Sequence, residues 1–357
     1  MSAKLLFIIA VCTAILVASI RKPVIALLFF LAFAFIRPQD DRPNLAEMHL
    51  PYWTAMALIV FYFWRFSGSG RLLPPSNLIT PFFLLFIWMV ISAILGVAPD
   101  SSYEHLKEFA VVAVTFLLML GLVKDEEELK LVFALIVFCG MAFVYYAIFQ
   151  GSDCIETQDG TACGRRNFAK INRNFGQPNY LGLSMVIMCN LAYAFFLSHK
   201  QLLVRVAALL TMAVFVWVLI LTGSRGAYLA LAASLGFYWL YSDHKLRGLV
   251  VLAALIGLIF ALAPDAFIAR LGTLGDIEQD ESAMSRVYFW EIGFDLIALH
   301  PLTGVGLGNF TQFSPNTPHN AYIQIASEVG LPALLFWVWL FIRAFRSILA
   351  ARAELVQ

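Results

Sequence analysis

The chain has 357 residues, 61% of them hydrophobic and only 13% charged, with a net charge of +1. A soluble protein keeps about a quarter of its residues charged. Half that share excludes a surface that faces water throughout, and the balanced charge gives nucleic acid no purchase. Composition therefore predicts a single all-α polytopic domain over residues 1–357 in contact with a lipid bilayer, with its 32 Phe and 8 Trp suited to lipid-facing and interfacial positions.

A spanning helix needs about 20 apolar residues. In chain order the candidate spans are 4–20, 23–36, 51–64, 78–98, 107–123, 129–149, 179–198, 202–222, 226–241, 247–263 and 320–342. That is eleven transmembrane helices, within a range of 10–12 because the second, third and ninth are short. The first has the apolar stretch of a signal peptide. No small-x-small cleavage site precedes Arg21-Lys22, so it reads as an anchor. The short loops at 21–22, 65–77, 199–205 and 243–247 are basic, which assigns them to the inside. The long loops 37–50, 150–178 and 264–319 then lie outside, and the tail 343–357 lies inside.

Cys12, Cys139 and Cys189 lie in apolar runs and read as small core residues. Cys154 and Cys163 share the polar loop 150–178, where a disulfide is open to them. No spacing of Cys and His predicts a metal site. The run Lys124–Lys130 reads as a solvated helix start, and the first half as a whole carries little chemistry.

The second half differs. Loop 150–178 holds Arg165, Arg166, Lys170 and Arg173, followed by Asn174–Asn179 at the mouth of a helix. Thr222-Gly-Ser-Arg225-Gly226 joins two apolar spans by a turn so short that Arg225 must stay at or just below the membrane surface. An arginine there costs about 2.5–3.5 kcal/mol on insertion scales and tends to take an anionic partner. Gly226, Ala230 and Ser234 form a small-residue stripe that predicts close helix packing.

Further on, Ser285 caps a predicted interfacial helix bearing Arg286 and Trp290. Pro301, Gly304, Gly306 and Gly308 break regular structure, and a new apolar helix begins after His319-Asn320. The spacing of Gly304-Val-Gly-Leu-Gly308 is not G-x-G-x-x-G, and no strand–helix unit surrounds it, which excludes a nucleotide fold.

On this topology Arg173, Arg225, Arg286 and His319 reach one outer face. Converging arginines beside an apolar bundle suit a pyrophosphate carried on a lipid, because guanidinium groups donate in pairs to phosphate oxygens and keep their charge. They would stabilise the leaving group without a metal. His319 is a candidate general base for an acceptor hydroxyl. Glu328 is placed to pair with an arginine or to support the site. Against this stand plainer roles: an interfacial arginine as a snorkelling anchor, and a histidine at a helix start as a cap.

Ser285-Arg286…Trp290, His300-Pro-Leu, Gly304–Phe310 and His319-Asn-Ala-Tyr-Ile-Gln-Ile-Ala-Ser-Glu328-Val-Gly-Leu331 together resemble the bacterial O-antigen ligase and polymerase-like family. Thr222–Gly226 and Arg173…Gly176-Gln-Pro-Asn179 match as well, so the specific part covers about 170–331. Arg21-Lys-Pro, Phe35–Pro38 and Trp88-Met are similar to the O-glycosylation-ligase-like branch found with exosortase systems.

The resemblance implies a glycosyltransferase-C-like fold with a periplasmic helical lid in the bacterial inner membrane. It implies transfer of a glycan from undecaprenyl pyrophosphate to an acceptor glycan, lipid or protein at the periplasmic face, with no metal or cofactor and with inversion. By motif match His319, Arg225 and Arg286 are the catalytic residues, and Arg173, Arg166, Asn179, Asn320 and Glu328 bind substrate. Arg165 and Arg166 compete with Arg173 for its role. A polymerase or a protein O-glycosylation ligase shares these residues. A lipid-linked sugar transporter would use the same arginines for binding alone.

Overall fold

The computed structural model describes residues 22–36, 76–149, 152–156, 163–167, 177–241 and 281–356, with isolated positions within 17–20, 54–63, 245–246, 253 and 257. The elements in chain order are α1 (Val24–Ile36), α2 (Ile79–Leu95), α3 (Pro99–Leu122), α4 (Glu126–Phe149), β1 (Ser152–Glu156), β2 (Cys163–Asn167), α5 (Pro178–Ser198), α6 (Leu202–Thr222), α7 (Arg225–Tyr241), α8 (Glu281–Leu299), a 3₁₀ turn (Asn309–Gln312), α9 (Ala321–Glu328) and α10 (Leu331–Val356). Among the described residues α3, α4, α5, α6 and α10 are long and apolar enough to cross a membrane, and α1 and α2 are shorter apolar helices. Most of the expected spans 4–20 and 247–263, and part of 51–64, lie outside the described residues.

Helices dominate as expected, and two expected boundaries are corrected. Loop 150–178 adds an antiparallel hairpin of β1 and β2, with Asp153 opposite Arg166, Cys154 opposite Arg165 and Glu156 opposite Cys163. The two cysteines are therefore two residues out of register rather than directly opposed. Helix α3 begins at Pro99 rather than at 107, because proline suits the first turn of a helix and Asp100 complements its positive end. The run 320–342 is two helices. Gly330 sits at φ 95°, and its N–H reaches the carbonyls of Ile325 and Ala326 to close α9. The Leu331 N–H turns away to Pro301 O at 2.9 Å.

The chain forms two compact units, one of residues 1–68 and 122–272 and the other of residues 69–121 and 273–357. In the first, α4, α5 and α6 close around Phe143, Met185, Phe215 and Leu219, all fully buried, with Ala227 and Leu231 of α7 on the same core. Of the small-residue stripe, Ala230 packs against this core but Gly226 does not. A Cβ at Gly226 would meet nothing within 4 Å, whereas one at Gly182 of α5 would meet Ala227 Cβ at 2.8 Å and Thr222 Oγ1 at 3.0 Å. Helix α7 thus packs through Ala227 and Leu231, and α5 provides the small residue. Gly140 does the same for α4, where a side chain would overlap Met188 and reach the Phe215 ring at 2.9 Å. Gly140→Val is expected to destabilise this unit by about 1–3 kcal/mol through overpacking. Thermal unfolding in detergent measures it, with Gly236→Val, whose site is open, as the control that should move far less.

In the second unit α2 and α10 meet through Leu85, Met89, Val329 and Ala333. Helix α8 begins at Glu281, so Ser285 lies within it rather than capping it. Its buried positions Phe289, Gly293 and Leu296 follow helical spacing. They face α9 and the 3₁₀ turn, where a side chain at Gly293 would run into Ile323.

Candidate functional site

The loop between α8 and the 3₁₀ turn is held by a series of backbone hydrogen bonds. Gly304 N–H donates to His300 O at 3.0 Å, Val305 N–H to Ser327 O at 2.9 Å and Gly306 N–H to Glu328 O at 2.8 Å. From the other side Val97 N–H donates to Val305 O at 2.8 Å. The loop is therefore layered between the end of α9 and the α2–α3 turn. At Gly304, φ is 63° and any Cβ would overlap the Glu328–Val329 peptide. Glycine is required there because two main chains touch.

Glu328 locks this layer. It is 4% exposed. Its Oε2 accepts from Gly308 N–H at 3.0 Å and its Oε1 from Gln324 Nε2 at 3.4 Å, and Phe310 N–H also bonds the carboxylate. Its carbonyl accepts from Ser92 Oγ at 2.9 Å. Burial pushes the carboxyl above the usual range, against the opposing pull of the Gly308 amide, Gln324, the Phe310 amide and the His105 charge. The break at Gly330 puts this group outside the α10 span. Among the described residues Glu328 pairs with the Gly308 and Phe310 amides and with Gln324, not with an arginine.

His319 is exposed at φ 49°, and its ring makes no hydrogen bond to the described residues. Just before it, Pro318 O accepts from Trp290 Nε1 at 2.8 Å. Arg286 lies one helical turn before Trp290, on the same side of α8. It is exposed and has no ion-pair partner among the described residues. The indole thus ties the arginine-bearing helix to the turn that carries the histidine. Asn320 Oδ1 accepts from Tyr322 N–H at 3.0 Å and Ile323 N–H at 3.4 Å, so this residue caps α9.

Arg286, His319, Asn320 and Glu328 belong to one unit, and Arg225, Asn179 and Arg166 belong to the other. Arg173 lies outside the described residues. In that other unit, Gly223 ends α6 in the left-handed conformation at φ 59°. Thr222 Oγ1 donates to Leu219 O at 2.7 Å and accepts from Ser224 N–H at 3.3 Å. Ser224 Oγ accepts from Ala227 N–H at 3.4 Å. Arg225 is thereby fixed, half-buried, as the first residue of α7. A cation at the positive end of a helix makes that point doubly attractive to an anion. Asn179 is exposed in the first turn of α5, and Arg166 has its place in the hairpin register opposite Asp153.

The sequence reading passed over the α2–α3 turn. The His105 ring lies on Gly308, where any Cβ would overlap its Nδ1, Cγ and Cε1. Asn309 Nδ2 donates to Val305 O at 3.1 Å and Ala98 O at 3.3 Å. Trp88 Nε1 donates to Leu302 O at 3.0 Å. Pro99-Asp100 signals a helix start, but nothing in the sequence pairs it with residues 302–309.

Comparison with curated proteins and with solved structures returns no match. The O-antigen ligase family model matches residues 207–338, so that stretch is similar to the O-antigen ligase family, and the apolar helices mark a multi-pass membrane protein.

Proposed function

We propose that the protein transfers a glycan from undecaprenyl pyrophosphate to an acceptor hydroxyl at the periplasmic face of the inner membrane. The observation that carries this is that the matched stretch 207–338 contains Arg225, Arg286 and His319 together. The family match supports glycan transfer of the ligase or polymerase type. The pyrophosphate donor is the ligand whose charge two arginines would complement.

In this mechanism the acceptor oxygen forms a bond to the anomeric carbon. The bond from that carbon to the pyrophosphate oxygen breaks, and the leaving pyrophosphate takes the electron pair. Arg225 and Arg286 stabilise the charge that grows on it. His319 takes the proton of the acceptor hydroxyl. Arg173, Arg166 and Asn179 complete the donor site. Glu328 acts by holding the glycine loop, and α8 with the loop forms the lid.

The test is release of free undecaprenyl pyrophosphate by purified protein in liposomes. These would contain an undecaprenyl-pyrophosphate glycan and a panel of saccharide, lipid and peptide acceptors. Wild type is expected to release it with one acceptor class, and His319→Ala about 10²–10⁴-fold more slowly. No release with any acceptor, or equal release by His319→Ala and Arg286→Ala, would overturn the proposal. The acceptor that stimulates release separates ligase from polymerase.

A further inference from the structure

His105 is an imidazole that the mechanism above does not use, yet its ring lies against Gly308 of the glycine loop. Its Nδ1 lies 2.9 Å from Ser101 O, one turn earlier in α3. A carbonyl only accepts, so Nδ1 carries the hydrogen, and in the neutral ring Nε2 presents a lone pair. The residue is exposed, and Nε2 has no partner among the described residues. The ring cannot settle further, because Gly308 beneath it admits no side chain. Gly308 in turn is anchored by its N–H to the buried Glu328 carboxylate at 3.0 Å. The acceptor atom is thus fixed by bonds that run through three segments of the chain.

The surroundings indicate what such an atom reads. Glu108 lies three residues on, on the same side of α3, and is exposed. Asp100 and Glu104 also stand on this end of the helix, and the one cation there, Lys107, is bound to Glu104 at 2.7 Å. Carboxylates of that density repel a phosphate. An imidazole and a carboxylate side by side accept hydrogen bonds, so they match a neutral ligand rich in hydroxyl donors. Polar capacity also remains inside the junction: Ser102 Oγ and Asn309 Oδ1, both on fully buried residues, have no hydrogen-bond partner among the described residues.

We infer that the junction of α3 with the glycine loop is the acceptor-saccharide subsite, in which Nε2 of His105 accepts a hydrogen bond from a sugar hydroxyl. This rests on the proposed glycan transfer and assigns its two substrates to different chemistry, arginines for the donor and His105 with Glu108 for the acceptor. His105 is a binding residue here, not the group that takes the proton.

The experiment uses full-length protein in nanodiscs with the methyl glycosides of glucose, galactose and N-acetylglucosamine as probes, and no donor. Saturation-transfer NMR is expected to show contact with at least one glycoside. The signal should be lost in His105→Ala and regained in His105→Gln, whose amide oxygen can replace the Nε2 lone pair. Where transfer is measurable, His105→Ala should raise the acceptor KM about tenfold, a size suited to one hydrogen bond, with kcat and the donor KM changed far less.

A purely structural role predicts a lowered melting temperature in His105→Ala and no rescue by Gln. That result, or equal signals from wild type and His105→Ala, or no contact with any glycoside, would overturn the inference. Since the binding test uses no donor, failure of the transfer assay would leave saccharide binding at His105 standing while removing its acceptor role. Likewise, transfer that survives in His105→Ala with an unchanged acceptor KM sinks only the subsite.

Discussion

Glu328→Ala is expected to destabilise the second unit by roughly 2–5 kcal/mol and to remove activity with it. The carboxylate satisfies the amides of Gly308 and Phe310 inside the protein, and a buried donor left without an acceptor costs about 1–3 kcal/mol. Glu328→Gln keeps one acceptor oxygen and should fold.

The two variants also separate by pH. Because burial raises the carboxyl in the folded chain, folding favours its neutral form. That contribution is full below the unfolded value, about 4.3, and is lost as pH rises through the raised folded value. The melting temperature of wild type relative to Glu328→Gln should therefore fall as pH is raised from about 4, until the folded carboxyl has ionised. A difference that grows with pH over that range would show the amides outweighing desolvation.

The second large effect falls on Arg225. Replacement by alanine is expected to slow transfer by at least about 10²-fold, the size found when one preorganised donor to a developing anion is removed. Lysine should recover little, because a point charge does not reproduce the paired donors of a guanidinium. The fold should survive, since Thr222 and Ser224 hold the turn through their own hydrogen bonds. Unchanged melting and chromatographic behaviour would verify that. Full activity in Arg225→Ala with unchanged protein level would remove the residue from the mechanism.

Much of this chain was legible as sequence. The expected span 202–222 coincides with α6, and 179–198 differs from α5 by one residue. Such segments report the lipid they face, and composition alone carries that message. The glycine loop and the helix start after His319-Asn320 were legible for a local reason, because glycine, proline and cap residues act over three or four positions.

What escaped were helix ends set by more than hydropathy. Apolar counting placed α3 at 107, although Pro99 starts the helix and the polar turn in between carries His105. The same counting ran α9 and α10 together through Gly330, even though a glycine followed by Pro332 is the pattern of one helix closing and another opening. That break decides whether Glu328 belongs to a span or to a loop clamp.

Sequence by itself thus determined the membrane character and most of the helix cores. Only the tertiary structure decided the partners: Ala98 and His105 against the glycine loop and Ser92 against the end of α9, some 200 positions further along the chain. Local pattern cannot carry that information, because hydrogen bonds between main chains and the packing of a ring on a glycine leave no periodicity in either segment.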